Sequence, residues 1–303
     1  MSSQISSLPE NILKTLAYAD IFDYPLTLDE LVKFLIGKSE VKKKDLLNSL
    51  TKMITNSKKI YTDGEFYCLS KRKNLIPSRV KKRKWSKEKL KIAQKTAAKL
   101  QLLPWIKMVG ITGALAMENC QKEDDIDLLV ITSADSLWIT RLLTILLSPF
   151  LGIKRRKPKE KYPKDKICFN LFLEENHLKI QPQDLFTAHE ICQVKPLFNK
   201  DQTYEKFLLE NKWVKKFLPN AFGCLLLEKN SPIFSPDFRA RIKNLFLKIF
   251  NKISFALQYW YMKPKITQEK VSYSQAFFHP ENQRKKILSL YQEKIRQLGL
   301  DKV

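Results

Sequence analysis

The sequence predicts an α/β (α+β) protein whose mixed-sheet core stands between an N-terminal helical domain and a helical C-terminal region. Three observations lead to this prediction. The chain of 303 residues is about twice as long as a usual domain. Apolar residues recur at helical spacing towards both ends, and the middle of the chain alternates strand-like with helical patterns. We therefore expect three parts, at residues 1–78, 79–200 and 201–303.

The first part is predicted to contain three helices and a hairpin. Helical periodicity covers residues 10–19, 28–35 and 43–54. Thr27 and Glu30 have the spacing of a capping box, in which each side chain satisfies a backbone amide of the other. The turn Asp63-Gly64 joins two short strands. Three helices and a hairpin are typical of a winged helix, which serves in DNA binding and in protein interaction, and the sequence leaves both open.

The middle part is predicted to supply the sheet, and the last part helices. The middle elements are strand Trp105–Thr112, a helical turn Ala114–Asn119, strand Ile126–Thr132, helix Ser136–Phe150, strand Ile167–Leu173 and a short strand His177–Ile180. Helices are then expected over Asp184–Val194, Tyr204–Phe217, Phe238–Met262 and Gln283–Leu298. This order of elements predicts a mixed α/β core followed by helices.

Positive charge dominates the surface chemistry. The chain has 55 Lys and Arg against 31 Asp and Glu, a net charge of +24, which favours an anionic partner. Segment Arg79–Lys99 has ten basic residues and one acidic residue, on a predicted amphipathic helix with its charges towards solvent. Loop Lys154–Lys166 has eight basic and two acidic residues. Both segments are candidate contacts to nucleic acid or triphosphate, and their alternative is a solvated face and a mobile loop.

Cysteine usage and apolar runs indicate the compartment. Five cysteines are widely spaced and form no CxxC pair, which favours buried thiols in a reducing compartment over disulfides or a zinc site. The first residues lack the pattern of a secretion signal. The most apolar run, Leu137–Ile153, is interrupted by Arg141 and Pro149 and is too short to span a bilayer. We expect a cytoplasmic protein without a membrane span.

The candidate site combines a glycine turn with two carboxylates. Gly110 and Gly113 fall at the end of a predicted strand, where the backbone can approach a ligand closely. Asp125 and Asp127 begin the next strand, and alternation puts both side chains on the same side, with Cα atoms roughly 6.5 to 7 Å apart. Two carboxylates held together attract a cation, and hard oxygen ligands suit Mg²⁺. The pattern therefore indicates a metal-assisted reaction of phosphates.

Segment 113–131 resembles the signature of the nucleotidyltransferase superfamily that includes DNA polymerase beta, a Gly-Ser or Gly-Gly turn followed by Asp-x-Asp on the next strand. The resemblance covers about Lys84 to Val194, and the flanking parts look like larger bacterial proteins that embed this domain. It implies transfer of a nucleoside monophosphate from a triphosphate to an acceptor hydroxyl with Mg²⁺ or Mn²⁺. Asp125 and Asp127 would be the catalytic, metal-binding residues, and the amides of Gly113 and Ala114 would contact the phosphates.

The sequence departs from the pattern of that superfamily at several positions, which include Met117 and Glu118 in place of the Arg-Gly of its minimal members. Ala114 stands where a Ser usually offers a hydroxyl. On the third strand, where a third catalytic acid is expected, alternation leaves Asn170 as the polar side chain. Asn170 is a poor base, so Glu174, Asp165 or a substrate group would have to substitute. The alternative is an inactive protein of this fold that acts as a nucleic-acid-binding or regulatory module.

Two further groups of residues receive no catalytic role. His177, His189 and His279 are too scattered in the sequence to form a ligand set. The aromatic residues around Tyr259 and Trp260 lie on a helix with a steady apolar stripe. We expect that stripe to pack inside the protein, and the alternatives are a base-stacking helix or a membrane-surface helix.

Overall fold

The structure is a computed structural model. It describes residues 7–158, 160–227, 240–266, 269–278 and 282–300. His279, one of the three histidines, lies outside these ranges.

The N-terminal part contains the predicted three helices and hairpin. They are α1 (Leu8–Asp20), α2 (Leu28–Lys33) and α3 (Lys43–Ser57), with a sheet of β1 (Leu26–Thr27), β2 (Ile60–Thr62) and β3 (Phe66–Leu69). The sheet is antiparallel in the order β1-β3-β2. The predicted capping box forms: the Thr27 hydroxyl accepts from the Glu30 amide at 3.3 Å, and the Glu30 carboxylate accepts from the Thr27 amide at 2.9 Å. α2 is shorter than predicted and ends before Gly37.

The middle of the chain forms a mixed six-stranded sheet, which confirms the predicted fold class at that level. Its strands are β4 (Ile106–Ile111), β5 (Ile126–Thr132), β6 (Ile167–Glu174), β7 (Lys195–Asn199), β8 (Lys270–Val271) and β9 (Gln275–Phe277). The order is β7-β4-β5-β6-β9-β8, with β5 and β6 parallel and the other pairs antiparallel. The sequence analysis missed β7, β8 and β9, and the strand that it predicted over His177–Ile180 is irregular backbone.

Eight helices surround this sheet in the described ranges. They are α4 (Ile76–Leu100), α5 (Gly113–Ala116), α6 (Leu137–Leu147), α7 (Leu185–Gln193), α8 (Thr203–Glu210), α9 (Pro219–Leu227), α10 (Ala240–Met262) and α11 (Asn282–Gln297). The helix predicted over Tyr204–Phe217 breaks at Asn211. The buried side-chain amide of Asn211 donates to the carbonyl oxygens of Leu178 and Phe207, and the α-helix ends at this point. None of the described helices is long and apolar enough to cross a membrane.

The two faces of the six-stranded sheet bury two separate cores. On the face called the front, Leu129 and Ile131 of β5 pack with α1, α7, α8 and α9. On the back, Leu128 and Val130 pack with α4 and α6. This separation follows from the alternation of side chains along β5. Asp127 has the same parity as Leu129 and therefore lies at the front. The front core includes Tyr18 of α1, so it crosses the boundary expected at residue 78.

The charges of α4 do not all face solvent, which corrects the expectation for the segment Arg79–Lys99. Arg79, Lys82 and Lys89 are buried. The Arg79 guanidinium donates to the carbonyl oxygen of Glu118 at 2.7 Å, and the Lys89 ammonium donates to the carbonyl oxygen of Asp124 at 2.6 Å. Five other lysines are exposed at helical spacing and form what we call the lysine stripe: Lys81, Lys84, Lys87, Lys91 and Lys95.

The apolar stripe of α10 also lies differently from the prediction. Ile249 and Ile253 were expected inside the protein, and both are exposed. The side chains of Asn251, Ser254 and Gln258 are buried instead. The helical period of the stripe was correctly recognised, but the period alone does not say which side of a helix packs inward.

Candidate active site

The glycine turn lies against one of the two predicted aspartates. Gly113, two residues after β4, has φ +58°, and a Cβ there would lie 3.0 Å from Oδ2 of Asp127. The Thr112 amide donates to the carbonyl oxygen of Asp127 at 3.1 Å. A left-handed backbone and a close carboxylate both favour glycine at this position. The predicted spacing therefore brings Gly113 and Asp127 together in space.

The two aspartates form a cluster with a cysteine that the sequence analysis did not consider for the site. Ligand atoms of Asp125, Asp127 and Cys168 lie within 4.8 Å of one another. Cys168 stands opposite Asp127 in the parallel pairing of β5 and β6. Burial, followed by the charges of Asp127 and Asp125, raises the pKa of the Cys168 thiol well above its usual value. The thiol is thus protonated at neutral pH and contributes no charge to the cluster.

Asn170 does not lie opposite Asp127, because Cys168 has that position in the pairing of β5 with β6. The pairing register shifts after Leu128 and Phe169, so that Asn170 is an extra residue in β6. Its side chain is buried, and its amide nitrogen is 3.5 Å from the Thr112 hydroxyl. Strict alternation along β6 did not anticipate this bulge, which is why Cys168 rather than Asn170 is in register with the aspartate.

The two carboxylates suggested as substitutes for a third acid are engaged elsewhere. Glu174 is buried and accepts from the backbone amides of Ser136 and Leu137 at the start of α6, at 3.1 and 3.3 Å. Asp165 is paired with the buried Lys89 ammonium at 2.7 Å. Both are therefore structural partners of helices.

The basic loop has part of its charge neutralised within the protein. Arg156 donates to Oδ2 of Asp125 at 2.7 Å, and this ion pair raises the guanidinium pKa against the effect of burial. Lys166 pairs with Glu160, and Lys164 lies 3.8 Å from Glu123. The loop thus contacts the aspartate cluster directly through Arg156. Lys159 lies outside the described residues.

A cavity of about 720 Å³ opens at the front of the sheet next to this cluster. Its polar end includes Gly113, Ala114, Asp125, Asp127 and Asn170. The rest of the wall is largely apolar or aromatic, and it comes from all three parts of the chain: Tyr18, Phe22, Phe34, Ile180, Phe186 and Phe277. The predicted catalytic, metal-binding and phosphate-binding residues therefore line one cavity, whereas Gly110 does not, and the N-terminal helices form part of its wall.

His189 on α7 is buried in the wall of this cavity. Its ring stacks on Tyr18 with centroids 4.0 Å apart and planes 10° apart, and the side chain is 4% exposed. Neither ring nitrogen has a hydrogen-bond partner within the part of the chain that the structure describes. Burial lowers the pKa of His189 to about 3, so that the ring is neutral at physiological pH. His189 therefore gives the cavity wall a buried polar side chain that carries no charge.

The next residue, Glu190, supplies a carboxyl group that the sequence analysis missed. It lines the same cavity as Asp127. Burial and the negative charge of Asp127 raise its pKa to about 7. A carboxyl group of this pKa exchanges a proton near neutral pH. The sequence gives no direct signal for this position, because α7 is far from the Asp-x-Asp segment along the chain.

Comparisons with protein-family models, with curated proteins and with solved structures gave no match for this chain.

Proposed function

We propose that this protein is a metal-dependent nucleotidyltransferase that moves a nucleoside monophosphate from a nucleoside triphosphate to an acceptor hydroxyl. The observation that carries the proposal is the polar end of the cavity. The Gly113 turn, the two aspartates and Glu190 all line the cavity, although Glu190 lies on α7, far from the other residues in the sequence. Acidic residues alone are common on protein surfaces. Their position inside a cavity, together with a carboxyl group poised near neutrality, favours a reaction site.

The two carboxylates of the aspartate cluster are suitable ligands for a hard divalent cation. Asp125 and Asp127 offer oxygen ligands, and the guanidinium of Arg156 already marks Asp125 as a position that attracts positive charge. The protonated Cys168 thiol is a poor ligand for Mg²⁺, so we assign the metal to the two aspartates. A bound Mg²⁺ or Mn²⁺ would neutralise charge on the triphosphate and complete its own ligand shell with phosphate oxygens.

In this proposal Glu190 takes the place of the absent third acid. The acceptor oxygen forms a bond to the α-phosphorus while the bond from that phosphorus to the bridging oxygen breaks. Pyrophosphate leaves with the electron pair of the broken bond. The acceptor proton passes to the Glu190 carboxylate, of which about half is ionised at its pKa of about 7. Amides of Gly113 and Ala114 contact the phosphates.

The cavity wall favours a small acceptor with an apolar or aromatic body. Tyr18, Phe34 and Phe186 provide surfaces for such a body. His189 adds a neutral ring that stacks on Tyr18 in this wall. A volume of about 720 Å³ is in the range of small-molecule pockets. The described part of this wall offers a long nucleic acid no continuous basic groove.

A labelling experiment tests the proposal. The protein is incubated with triphosphates labelled at the α-phosphorus, with Mg²⁺ or Mn²⁺, and with either a small-molecule extract or total RNA. We expect label in a small-molecule product, with release of pyrophosphate. Triphosphate labelled at the γ-phosphorus is the control, because hydrolysis alone would release labelled phosphate. Absence of labelled product in every combination would contradict the proposal.

The competing function is a nucleic-acid-binding or regulatory module without transfer activity. The lysine stripe of α4 favours it, because five exposed lysines on one helix face match a row of phosphates. Binding at the stripe should weaken with salt by a log–log slope of about −0.9 for each phosphate neutralised on duplex DNA. Lys84→Ser, Lys87→Ser and Lys91→Ser together should flatten that slope. The buried Lys82 is unsuitable for this test.

A further inference from the structure

Helix α10 presents an apolar face to solvent. Six large side chains lie on this side, which we call the α10 face: Phe246, Ile249, Phe250, Ile253, Leu257 and Trp260. Their exposed fractions run from 48% for Ile249 to 79% for Trp260. Leu146 of the neighbouring helix α6 and Phe150, in the turn after α6, are also exposed. Monomeric soluble proteins rarely show so many large apolar side chains together without a function.

Hydrogen bonds on the buried side of α10 hold the helix in this orientation. The Asn251 side-chain oxygen accepts from the backbone amides of Trp138 and Ile139 at 2.7 and 3.1 Å, at the start of α6. The Gln258 amide donates to the carbonyl oxygen of Trp138 at 2.8 Å. Rotation of α10 to bury its apolar side would break these bonds and expose the amides of α6. The exposure of the α10 face is therefore built into the packing.

The charges beside the α10 face are positive. The sequence Ala240–Met262 contains four basic residues and no Asp or Glu. Lys252 and Lys263 are exposed, and both fall on the same flank of the face in helical projection. Lys248, on that flank as well, lies 3.6 Å from Asp135 and is partly neutralised. An apolar strip with lysines beside it matches a surface that is apolar inside and anionic outside.

We propose that the α10 face docks on an anionic lipid surface, with α10 parallel to the plane of the bilayer. The side chains of Phe250, Leu257 and Trp260 enter the boundary between headgroups and acyl chains, and the flanking lysines contact lipid phosphates. Trp260, near the end of the helix, is of the residue type that prefers this boundary. The helix lies on the surface and does not cross it.

Two other occupants fit the α10 face less well. A second copy of the chain would bring two identical rows of lysines towards each other, and the net charge of +24 on each copy opposes that association. Nucleic acid would meet Ile249, Ile253 and Leu257, which neither bind phosphate nor stack on bases as aromatic rings do. The lipid surface alone uses both the apolar strip and the lysines.

The inference does not depend on the proposed function. α10 packs on α6 at the back of the sheet, whereas the cavity lies at the front. Loss of lipid binding should leave nucleotidyl transfer in solution unchanged, and loss of transfer should leave lipid binding unchanged.

Vesicle flotation with the full chain tests the inference. We expect the protein to float with vesicles that contain phosphatidylglycerol and not with vesicles of phosphatidylcholine alone. Phe250→Ser and Trp260→Ser should each weaken binding by at least about tenfold, because each removes a large buried side chain from the lipid contact. Lys252→Gln and Lys263→Gln should each weaken it by about fivefold. Leu209→Ser, which changes an equally exposed leucine on α8 at the front, is the matched control and should bind like the unaltered protein.

Three other results of these experiments would contradict the inference. Binding that is equal on neutral and anionic vesicles would overturn the role of the lysines. A dimer in light scattering that dissociates in Phe250→Ser, with no flotation of the unaltered protein, would assign the α10 face to a second copy instead. A monomer that does not float would also overturn the inference. The exchanged side chains are exposed, so circular dichroism should confirm that every variant folds.

Discussion

The front and the back of the six-stranded sheet are covered in opposite ways. At the front, a cavity wall holds the polar His189 without a hydrogen-bond partner in the described ranges, next to Glu190. At the back, α10 bonds its polar residues inward and turns apolar residues outward. Each arrangement costs stability in the isolated protein, because one buries polar atoms and the other exposes apolar ones. This contrast is the basis of the two proposals, a ligand-binding site at the front and a docking surface at the back.

The largest effect is expected at the aspartate cluster of the front. Asp127→Asn should abolish metal-dependent triphosphate binding and transfer, because the amide removes a charged ligand while it keeps the size of the side chain. Calorimetry with Mg²⁺ and a triphosphate measures this. Asp29→Asn, at an aspartate that is 81% exposed, is the control and should change neither property. An unchanged affinity of Asp127→Asn for Mg²⁺ and the triphosphate would contradict the assignment of a metal site to Asp127.

Glu190→Gln should lower transfer by about 100- to 10,000-fold, the usual contribution of a general base. The same variant should become more stable than the unaltered protein at high pH. The folded-state pKa of about 7 is above the ordinary value of 4.5, so the native state loses stability as the pH rises through this interval. At about pH 8 we expect a gain on the order of 1–2 kcal/mol, after allowance for screening at a half-buried group.

Paired measurements separate these two effects of Glu190. Urea unfolding at about pH 8 and about pH 4 gives the stability, and the labelling assay gives the transfer rate. Glu210→Gln, at an exposed glutamate of α8, is the control. A Gln variant with full transfer and no stability gain would show that Glu190 is an ordinary solvated side chain.

Lys89 connects α4, at the back of the sheet, to the segment before Asp125 at the front, and its substitution should lower the free energy of unfolding. It belongs to α4 at the back, and its ammonium bonds the carbonyl oxygens of Lys122 and Asp124 as well as the Asp165 carboxylate, next to Asp125 at the front. Lys89→Met should destabilise the fold by about 1–3 kcal/mol, because the carbonyl oxygens of Lys122 and Asp124 lose their charged donor. Lys91→Met, at an exposed lysine of the same helix, should stay within about 0.5 kcal/mol. Equal denaturation midpoints for the two variants would contradict this link.

The smallest effect concerns the acid sensitivity of His189. Its folded-state pKa of about 3 is below the ordinary 6.5, so stability is lost as the pH falls through this interval. His189→Phe keeps a ring against Tyr18 and removes this loss, which amounts to about 2 kcal/mol at about pH 5. The measurement is best made with Glu190→Gln also present, since Glu190 titrates in the opposite sense. Identical pH profiles with and without the histidine would contradict a buried neutral ring.

Local patterns in the sequence predicted local structure well. The capping box at Thr27, the strand that carries Asp127 and the turn at Gly113 depend on neighbours in the chain, and each is found where it was expected. Strands β7, β8 and β9 were missed because they are only two to five residues long and their strand character depends on pairing within the sheet. Glu190 was missed for a related reason, since its role depends on the packing of α7 over β5. The orientation of α10 was predicted wrongly, because an inward polar side is unusual in a soluble helix.

The cavity wall includes Tyr18 from the first described helix and Arg284 from the last. Arg284 forms an ion pair with Asp184, and Lys294 of the same helix forms an ion pair with Asp20. During synthesis the ribosome releases the N-terminal end first, so the aspartates and the glycine turn emerge long before α11 does. A nascent chain that has released α7 but not α11 therefore carries the two aspartates, the Gly113 turn and Glu190 beside an incomplete cavity wall.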